Sequence, residues 1–401
     1  MEKSGDNSSK NIIIGFDAKR IVRNGTGLGS YGRTLVNDLA ADDCLQLRLY
    51  APDKGRDDLR NQVVSRPNVA FCHPTLHTSH STLHTIFSFL LPRSSKAYWR
   101  THGIVRDLLR DGVQVYHGLS GELPVGIRKS GIRSIVTIHD LIFLRHPEFY
   151  HWLDTKIYAW KFRQTVREAD HIIAISECTK RDIIEFGGVD ESKISVIYQS
   201  FSPRFSAQVA PEILESVRQR YQLPNRYVLN VGTIEARKNI LLAVKALRHL
   251  PEEISLVVVG RRTKYAEMVL EYAKNHGLDH RIKMFHGVPD NDLPAFYAQA
   301  ETFVYPSVYE GFGIPIIEAI SCGLPVVACT GSCLEEAGGP DSLYVAPDDE
   351  KAMADAIRQT LKGAENREER IRRSRDYIRR FEGRDVARQV ADLYREILAV
   401  Q

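Results

Sequence analysis

Two acidic residues, Glu310 and Glu318, frame the stretch EGFGIPIIE, whose residue types can bind an anion. Gly311 and Gly313 leave backbone N–H groups accessible, and Pro315 is predicted at the first position of a helix. These amides and the positive end of the helix suit a diphosphate. We expect Glu310 in the loop and Glu318 in the first helical turn, where they can accept hydrogen bonds from sugar and ribose hydroxyls. In the alternative interpretation, Glu310 caps the helix and Glu318 pairs with a base.

Two adjacent cations, Arg237 and Lys238, follow the apolar run Tyr227 to Val231, which is predicted to be a strand. Ligands of parallel α/β sheets bind at the carboxyl ends of the strands. Cations at that edge can neutralise a diphosphate leaving group as its charge develops. A structural alternative is that Lys238 and Asn239 only begin a helix.

Two histidines are also predicted at strand ends. His139 and Asp140 follow the run Ser134 to Ile138, and a polar pair at that position favours contact with a ligand over a place in the core. His117 follows the run Val113 to Tyr116, where a ligand role and a core role are equally open.

The stretch GLGSYG, from Gly27 to Gly32, satisfies the G-x-G-x-x-G pattern of a dinucleotide-binding loop, and Asp53 lies about where a ribose-binding acid is expected. In that motif the first glycine closes a strand. Here residues 17–26 separate the predicted strand Ile12 to Phe16 from Gly27. We therefore disfavour a dehydrogenase.

The elements that must position these residues alternate between strand and helix in both halves of the chain. This alternation predicts an α/β protein with two doubly wound parallel sheets, whose carboxyl edges can face one another. The predicted strands are Ile12 to Phe16, Leu45 to Tyr50, Val113 to Tyr116, Ser134 to Ile138 and His171 to Ile175, followed by Tyr227 to Val231, Ser255 to Val259, Ile282 to Phe285, Thr302 to Tyr305 and Pro325 to Ala328. The stretch Gln199 to Pro211, rich in Ser and Pro, is predicted to be the linker.

The composition is that of a globular protein of two or three domains, since 43% of the 401 residues are hydrophobic and 26% are charged. A net charge of +4 does not imply a nucleic-acid partner, and the basic stretch Arg367 to Arg388 interleaves acids at the spacing of a solvated helix face. The six cysteines include no C-x-x-C pair, which fits a reducing compartment. The N-terminus lacks the apolar core of a signal peptide, and no segment is apolar enough to span a membrane, so we expect a cytoplasmic protein.

Together these motifs resemble those of the retaining nucleotide-sugar glycosyltransferases of family four, and more loosely their bacterial mannosyltransferase-like members. The resemblance spans nearly the whole chain and includes EGFGIPIIEA, the turn VGTIEARKN, the stretch GVPDNDL and the segment LEEAG. It implies the GT-B fold, in which two Rossmann-like domains face each other across a cleft. The expected parts are an acceptor domain over residues 1–203, a nucleotide-sugar domain over 204–380, and a C-terminal helix over 381–401 that packs back on the first domain.

The resemblance also implies roles for individual residues. It places His139 against the transferred sugar and Arg237 and Lys238 on the diphosphate, with Glu310 completing the catalytic group. His117 and Asp140 are expected on the acceptor side. Donor contacts are expected from Gly27, Gly29, Thr233, Val288, Gly311, Phe312, Gly313, Ile314 and Glu318. The stretch at Gly27 is then a glycine-rich loop that faces the donor, preceded by a mobile acceptor loop over residues 17–26.

The activity implied by the resemblance is transfer of a hexose, with mannose as the first choice, from a nucleoside diphosphate to a saccharide or lipid-linked saccharide in cell-surface polysaccharide synthesis. Retention of the anomeric configuration is expected through attack on the face that the leaving group departs from. No cofactor and no metal are expected, because the helix, the glycine amides and the cations take the metal's place. The alternatives are a nucleotide-sugar epimerase of the same fold and a non-catalytic sugar-nucleotide-binding protein.

A basic and apolar stretch, Leu83 to Arg110, suggests a membrane contact. It combines bulky apolar residues with Arg93, Lys96, Arg100, Arg106 and Arg110. A surface of this kind can touch anionic lipid at the inner face of the membrane. Ordinary helix packing explains the same pattern equally well.

Overall fold

Two parallel sheets form the framework of the structure, a computed structural model that describes residues 11–74 and 96–399. The strands of the first sheet are β1 (Ile12–Asp17), β2 (Leu45–Tyr50), β3 (Val69–Cys72), β4 (Val115–Gly118), β5 (Arg133–Ile138), β6 (His171–Ala174) and β7 (Ile194–Val196). Those of the second are β8 (Tyr227–Val231), β9 (Ser255–Val259), β10 (Ile282–Phe285), β11 (Thr302–Tyr305), β12 (Val326–Cys329) and β13 (Leu343–Val345).

Helices connect these strands and cover the sheets. They are α1 (Lys19–Arg23), α2 (Gly27–Leu39), α3 (Asp57–Arg60), α4 (Ile104–Arg110), α5 (Ile142–Arg145), α6 (Trp152–Glu168), α7 (Glu177–Gly187), α8 (Pro211–Tyr221), α9 (Ile240–Ala246), α10 (Lys264–Asn275), α11 (Leu293–Gln299), α12 (Ile314–Ser321), α13 (Leu334–Gly338), α14 (Glu350–Arg358), α15 (Arg367–Ile378) and α16 (Gly383–Ala399). Within residues 11–74 and 96–399, no helix is both long and apolar enough to cross a bilayer.

The strand orders are β3-β2-β1-β4-β5-β6-β7 and β10-β9-β8-β11-β12-β13, with all pairs parallel. The predicted α/β architecture of two doubly wound sheets is therefore confirmed. In each sheet the sequence order of the strands reverses between two neighbouring central strands, β1 and β4 in the first sheet and β8 and β11 in the second. A crevice opens at such a point beyond the carboxyl ends of the strands, and the predicted site residues follow these strands.

All the strands predicted from the sequence are present, with ends displaced by at most two residues. The strands that were not predicted, β3, β7 and β13, lie at sheet edges and are no longer than four residues. Such short edge strands are half-exposed and lack the continuous apolar run that marks a central parallel strand.

The chain's last helix, α16, packs against α2 of the first sheet. Its inward side chains recur at the spacing of one helical face and belong to the apolar core around β1 and β2; they are Val386, Val390, Leu393 and Tyr394. The core of the first sheet is thus completed by residues from the opposite end of the chain.

The segment before the glycine pattern differs from the prediction. Residues 17–26, expected to be a mobile loop, contain α1, and Gly27 and Gly29 lie in the first turn of α2 rather than in a loop. Arg33 Nη1 holds the segment by donating to the carbonyl oxygens of Ile21 and Asn24, each at 2.9 Å. Gly29 permits this packing, because a Cβ there would lie 1.8 Å from the Asn24 carbonyl oxygen.

Candidate active site

Three charged side chains of the second domain, Arg237, Lys238 and Glu310, meet in a largely buried cluster. They lie on the segments that follow β8 and β11. Glu310 accepts from Lys238 Nζ, and its other oxygen lies 2.9 Å from Arg237 Nη1. Lys238 also donates to the Tyr305 hydroxyl at 2.7 Å. Burial alone would raise the pKa of Glu310, but the charges of Lys238 and Arg237 outweigh it and hold that pKa at about 2. The cluster therefore stays ionised.

Hydrogen bonds join the turn after β8 to the loop after β11 and so fix this cluster. Arg237 and Lys238 lie on a single 3₁₀ turn, Ala236–Lys238. Arg237 Nη1 donates to the Tyr309 carbonyl at 2.6 Å, and the Val308 amide donates to the Arg237 carbonyl at 2.9 Å. Helix α9 does begin just after this turn, and both cations also pair with Glu310, so starting the helix is not their whole role.

The loop that carries Glu310 leads into α12 through Gly313, whose φ of +118° requires glycine. Helix α12 begins at Ile314, with Pro315 second rather than first. Glu318 consequently lies in the second turn and not in the first, as we had predicted. Glu310 does not cap this helix, which excludes the structural alternative for that residue.

Phe312 does not contact the cleft, contrary to the sequence prediction. Its side chain is buried between Tyr198, with ring centroids 5.3 Å apart, and Phe381, at 5.2 Å. An aromatic ring between two glycines is drawn into the apolar core that joins the two halves of the chain. Only the backbone at this position remains for a ligand.

A cavity of about 530 Å³ lies between the two sheets, within the size range of small-molecule sites. Its walls bring together Gly27 of the first sheet with Ile314 and Glu318 of the second. Glu318 accepts a hydrogen bond from the Tyr297 hydroxyl at 3.1 Å and forms no ion pair with any described residue. Burial raises its pKa to about 7.

Five other predicted donor residues do not line this cavity: Gly29, Thr233, Val288, Gly311 and Gly313. Thr233 and Val288 follow β8 and β10 at the same carboxyl edge, and Val288 packs against the core. Gly29 is buried against Asn24. The cavity does contain side chains that the sequence analysis did not single out, among them Tyr31, Arg204 and Asp290.

His139 follows β5, as predicted, and both of its ring nitrogens are engaged. Its Nε2 lies 2.8 Å from the Leu119 carbonyl oxygen, which can only accept, so Nε2 carries the proton. Its Nδ1 then accepts from the Gln199 amide at 2.6 Å. Burial lowers the pKa of His139 to about 4, so the ring is neutral near pH 7.

The two halves of the site touch at His139. A Cβ on Gly311 would lie 2.1 Å from the His139 carbonyl oxygen, so only glycine fits there. Asp140 lies close enough to the Arg237, Lys238 and Glu310 cluster to sense its charges, while burial raises the pKa of this carboxyl. The structure thus places His139 and Asp140 of the first domain next to Gly311 and the charged cluster of the second.

His117, predicted at the end of a strand, is not part of the site. Strand β4 extends two residues further than predicted, so His117 lies inside it and is fully buried. Its ring lies 2.7 Å from the Tyr394 hydroxyl and 2.8 Å from the Thr137 hydroxyl. Burial lowers its pKa to about 3. The core role, rather than the acceptor role, is correct.

A second, smaller cavity of about 250 Å³ is lined by His139 and Asp140. We call it the acceptor groove, because Asp140 is expected from the sequence on the acceptor side. Its walls carry aromatic and charged side chains that no motif marked in the sequence: Arg20, Glu122, Phe143, Tyr150, Tyr158, Lys161 and Phe162. They come from four separate segments, so only the fold brings them together.

The predicted membrane stretch is only partly described, because Leu83, Arg93 and their neighbours up to residue 95 lie outside the described residues. Arg100 is not a surface cation: it pairs with Asp17 at 2.6 Å and with Glu122, and its side chain is 13% exposed. Lys96 pairs with Asp53 at 2.8 Å. Asp17 and Glu122 therefore hold Arg100 in the interior, whereas Lys96 stays exposed with its side chain 55% accessible.

Two side chains of the second domain, one on α13 and one on the loop after β11, form hydrogen bonds with α7 of the first domain. Glu336 accepts from the amides of Glu177 and Cys178, at 2.7 and 2.9 Å, at the start of α7. The Tyr309 hydroxyl donates to Asp182 at 2.8 Å on the same helix. The segment LEEAG therefore contributes an interdomain contact that its sequence did not reveal.

Comparison with known proteins agrees with this geometry. The model described as glycosyltransferase family 4 matches residues 25–203, and that of glycosyl transferases group 1 matches residues 215–377. The O-antigen chain mannosyltransferase B of Escherichia coli is 31% identical over 379 residues, covering 92% of this chain and 96% of the relative.

Two further comparisons concern a lipid-linked substrate and the fold. A Campylobacter jejuni enzyme named N-acetylgalactosamine-N,N'-diacetylbacillosaminyl-diphospho-undecaprenol 4-alpha-N-acetylgalactosaminyltransferase is 26% identical over 225 residues, or 55% of this chain and 59% of that enzyme. The sucrose-phosphate synthase of Thermosynechococcus elongatus has the same fold, with a TM-score of 0.73 at 21% identity over 97% of this chain and all of that one.

Proposed function

Because this chain belongs to the family four glycosyltransferases, we propose that it transfers mannose from a nucleoside diphosphate to a saccharide acceptor in the synthesis of a cell-surface polysaccharide. The observation that carries this proposal is the convergence of Arg237 and Lys238 at the carboxyl edge of the second sheet, beside His139 of the first. The choice of mannose is supported by the Escherichia coli relative, which is named as a mannosyltransferase.

The cations provide the main catalytic contribution by binding the leaving diphosphate. Glu310 raises the pKa of Lys238 above its ordinary value despite burial, so the ammonium stays charged. In a buried site, cations stabilise developing negative charge more strongly than they do in water. We propose that this pair performs the task without a metal ion.

The nucleoside occupies the 530 Å³ cavity, where the Glu318 carboxylate accepts hydrogen bonds from the ribose. The acceptor enters from the other side of His139, through the acceptor groove. This arrangement leaves the sugar between the two cavities, where the backbone of Gly311 touches His139. Closure of the two domains around it excludes water and limits hydrolysis of the donor.

Transfer proceeds with retention through attack on the same face of the sugar. The acceptor oxygen bonds to the anomeric carbon as the bond to the phosphate oxygen breaks, and that departing oxygen takes the acceptor's proton. His139 is a poor base for this step, because a pKa of about 4 makes its ring a weak proton acceptor and both its nitrogens are engaged. Its contribution is to shape the site around the sugar.

The acceptor is proposed to be a lipid-linked saccharide, bound by a protein that works at the cytoplasmic face of an anionic membrane. The name of the Campylobacter jejuni relative includes diphospho-undecaprenol, a lipid carrier. The aromatic walls of the acceptor groove can stack on sugar rings, and Arg20 and Lys161 can meet a diphosphate.

A panel of nucleotide sugars tests the donor and the reaction. GDP-mannose is expected to shift the melting temperature and to give a slow release of GDP that a saccharide acceptor accelerates. Proton NMR should show the product anomer that matches the donor, and a chelator should leave the rate unchanged. Formation of an isomeric nucleotide sugar would instead identify an epimerase, and binding without turnover a non-catalytic protein.

A further inference from the structure

Helix α6 presents an apolar face to solvent. Trp152, Leu153, Ile157 and Trp160 are 65, 48, 51 and 58% exposed and lie on one side of the helix, and we call them the outer face of α6. Of the ten large hydrophobic side chains that are exposed among the described residues, this helix carries five, including Tyr158. A soluble domain seldom concentrates its exposed apolar residues in this way, so the face is suited to a partner.

Cations lie among these apolar side chains. Lys156, Arg163 and Arg167 are exposed on the same side of the helix, and none of the three forms an ion pair with an acid among the described residues. Exposed lysines are depleted at the centre of protein–protein interfaces, whereas tryptophan and basic residues together are typical of helices that lie on membranes. Charge and residue type therefore favour anionic lipid over another protein.

The opposite side of the same helix forms part of the acceptor groove. Tyr158, Lys161 and Phe162 line that groove together with His139. Lys161 Nζ is held there by Glu122 at 2.9 Å, which itself pairs with Arg100. One helix thus separates the outer face from the place where the acceptor is proposed to bind.

We propose that the outer face of α6 docks on the surface of an anionic bilayer, with its tryptophans at the level of the headgroups. This inference rests on the proposed lipid-linked acceptor. With α6 in the headgroup layer, the groove opens beside the membrane, and the saccharide of an acceptor still anchored in the bilayer reaches His139 without leaving the lipid.

Co-sedimentation of the full chain with vesicles tests the proposal. Vesicles of phosphatidylcholine alone are compared with vesicles that also contain phosphatidylglycerol, at low and high salt. Trp152→Ser/Ile157→Ser/Trp160→Ser is expected to lower the affinity for anionic vesicles by roughly tenfold or more, and Lys156→Gln/Arg163→Gln to lower it for anionic vesicles only.

A matched control is Ile213→Ser/Met268→Ser, which removes exposed apolar side chains, 48 and 44% exposed, from the second domain. It should bind vesicles like the wild type. Hydrolysis of GDP-mannose without acceptor should be the same for all variants, because none of these residues lines the donor cavity.

Equal sedimentation of the triple variant and the wild type, or no binding of the wild type to either vesicle, overturns the proposal. So does a wild-type dimer that the triple variant converts to a monomer without vesicles, since a second copy would then cover the face. If vesicle binding depends on the outer face but no nucleotide sugar is hydrolysed, the docking surface stands and the proposed function fails.

Discussion

Arg237 and Lys238 are the residues on which the proposed chemistry depends most. Removing them alone would leave Glu310 buried without a partner, which is strongly destabilising. We therefore expect the variant Arg237→Ala/Lys238→Ala/Glu310→Gln to fold but to lose turnover by a factor of about 10²–10³ or more, the loss typical of removing a single stabilising group. Steady-state release of the nucleoside diphosphate measures this, with Glu310→Gln alone as the control. Turnover near that of Glu310→Gln in a protein with an unchanged melting curve would show that the leaving group needs no cations here.

Glu318 makes nucleotide binding depend on pH. Burial raises the pKa of this carboxyl to about 7, so below pH 7 it is protonated and accepts hydrogen bonds from a ribose less well. Affinity for GDP should rise as the pH increases from 6 to 8, and Glu318→Ala should weaken binding by roughly 1.5–3 kcal/mol at pH 8.

Titration calorimetry across this pH range measures the effect. Glu318→Gln is the matched control, because the phosphate groups of GDP titrate equally with both proteins. Parallel pH profiles for the wild type and Glu318→Gln would remove Glu318 from the ribose site.

At the level of single residues, the sequence predicted the position in the fold well where a motif and a strand end coincide. His139 and Glu310 were placed correctly for this reason. His117 was not, because the end of β4 could not be located to within two residues and that difference turns a strand end into a strand interior. Phe312 was misassigned because a motif specifies the backbone path but not which way a ring between glycines points.

Among the elements, α7 of the first domain and α13 of the second are joined by hydrogen bonds across the domain interface. Glu336 of α13 supplies a carboxylate to the free amides at the start of α7. A negative charge at a helix N-terminus contributes up to about 2 kcal/mol in a partly buried geometry. We expect Glu336→Gln to lower the free energy of unfolding by roughly 1 kcal/mol and to raise the rate of donor hydrolysis, because the cleft opens more often.

The neighbouring Glu335→Gln is the control, since the Glu335 side chain accepts hydrogen bonds from Thr330 and Gly331 within its own domain and, among the described residues, from no residue of the first domain. Urea unfolding and GDP release measure the two effects. An equal change in both properties for Glu335→Gln and Glu336→Gln would argue against an interdomain role.

The elements themselves were largely predictable because buried parallel strands leave continuous apolar runs. Helix α6 illustrates the limit of that reasoning. Its exposed tryptophans look in sequence like core residues, since a hydrophobic pattern shows that a helix has an apolar face but not whether another element covers it. That distinction needs the positions of all neighbouring elements.

At the scale of the whole molecule, α16 completes the first domain from the far end of the chain. A fragment of residues 1–203 should therefore expose the apolar side of α2, bind a hydrophobic dye and show no cooperative unfolding. A fusion in which a flexible linker joins residues 1–203 to 383–401 should restore a cooperative transition, followed by circular dichroism. Cooperative unfolding of the shorter fragment, with the same midpoint as the fusion, would contradict this.

This dependence on α16 has a consequence during synthesis on the ribosome. The first domain cannot complete its core until α16 emerges, and at about 5–20 residues per second that delay after residue 203 is roughly 10–40 s. During that interval the nascent chain carries an uncovered apolar surface, a natural target for chaperones. The second domain, whose sheet is contiguous in sequence, is ready first, so this protein assembles in the reverse of its order of translation.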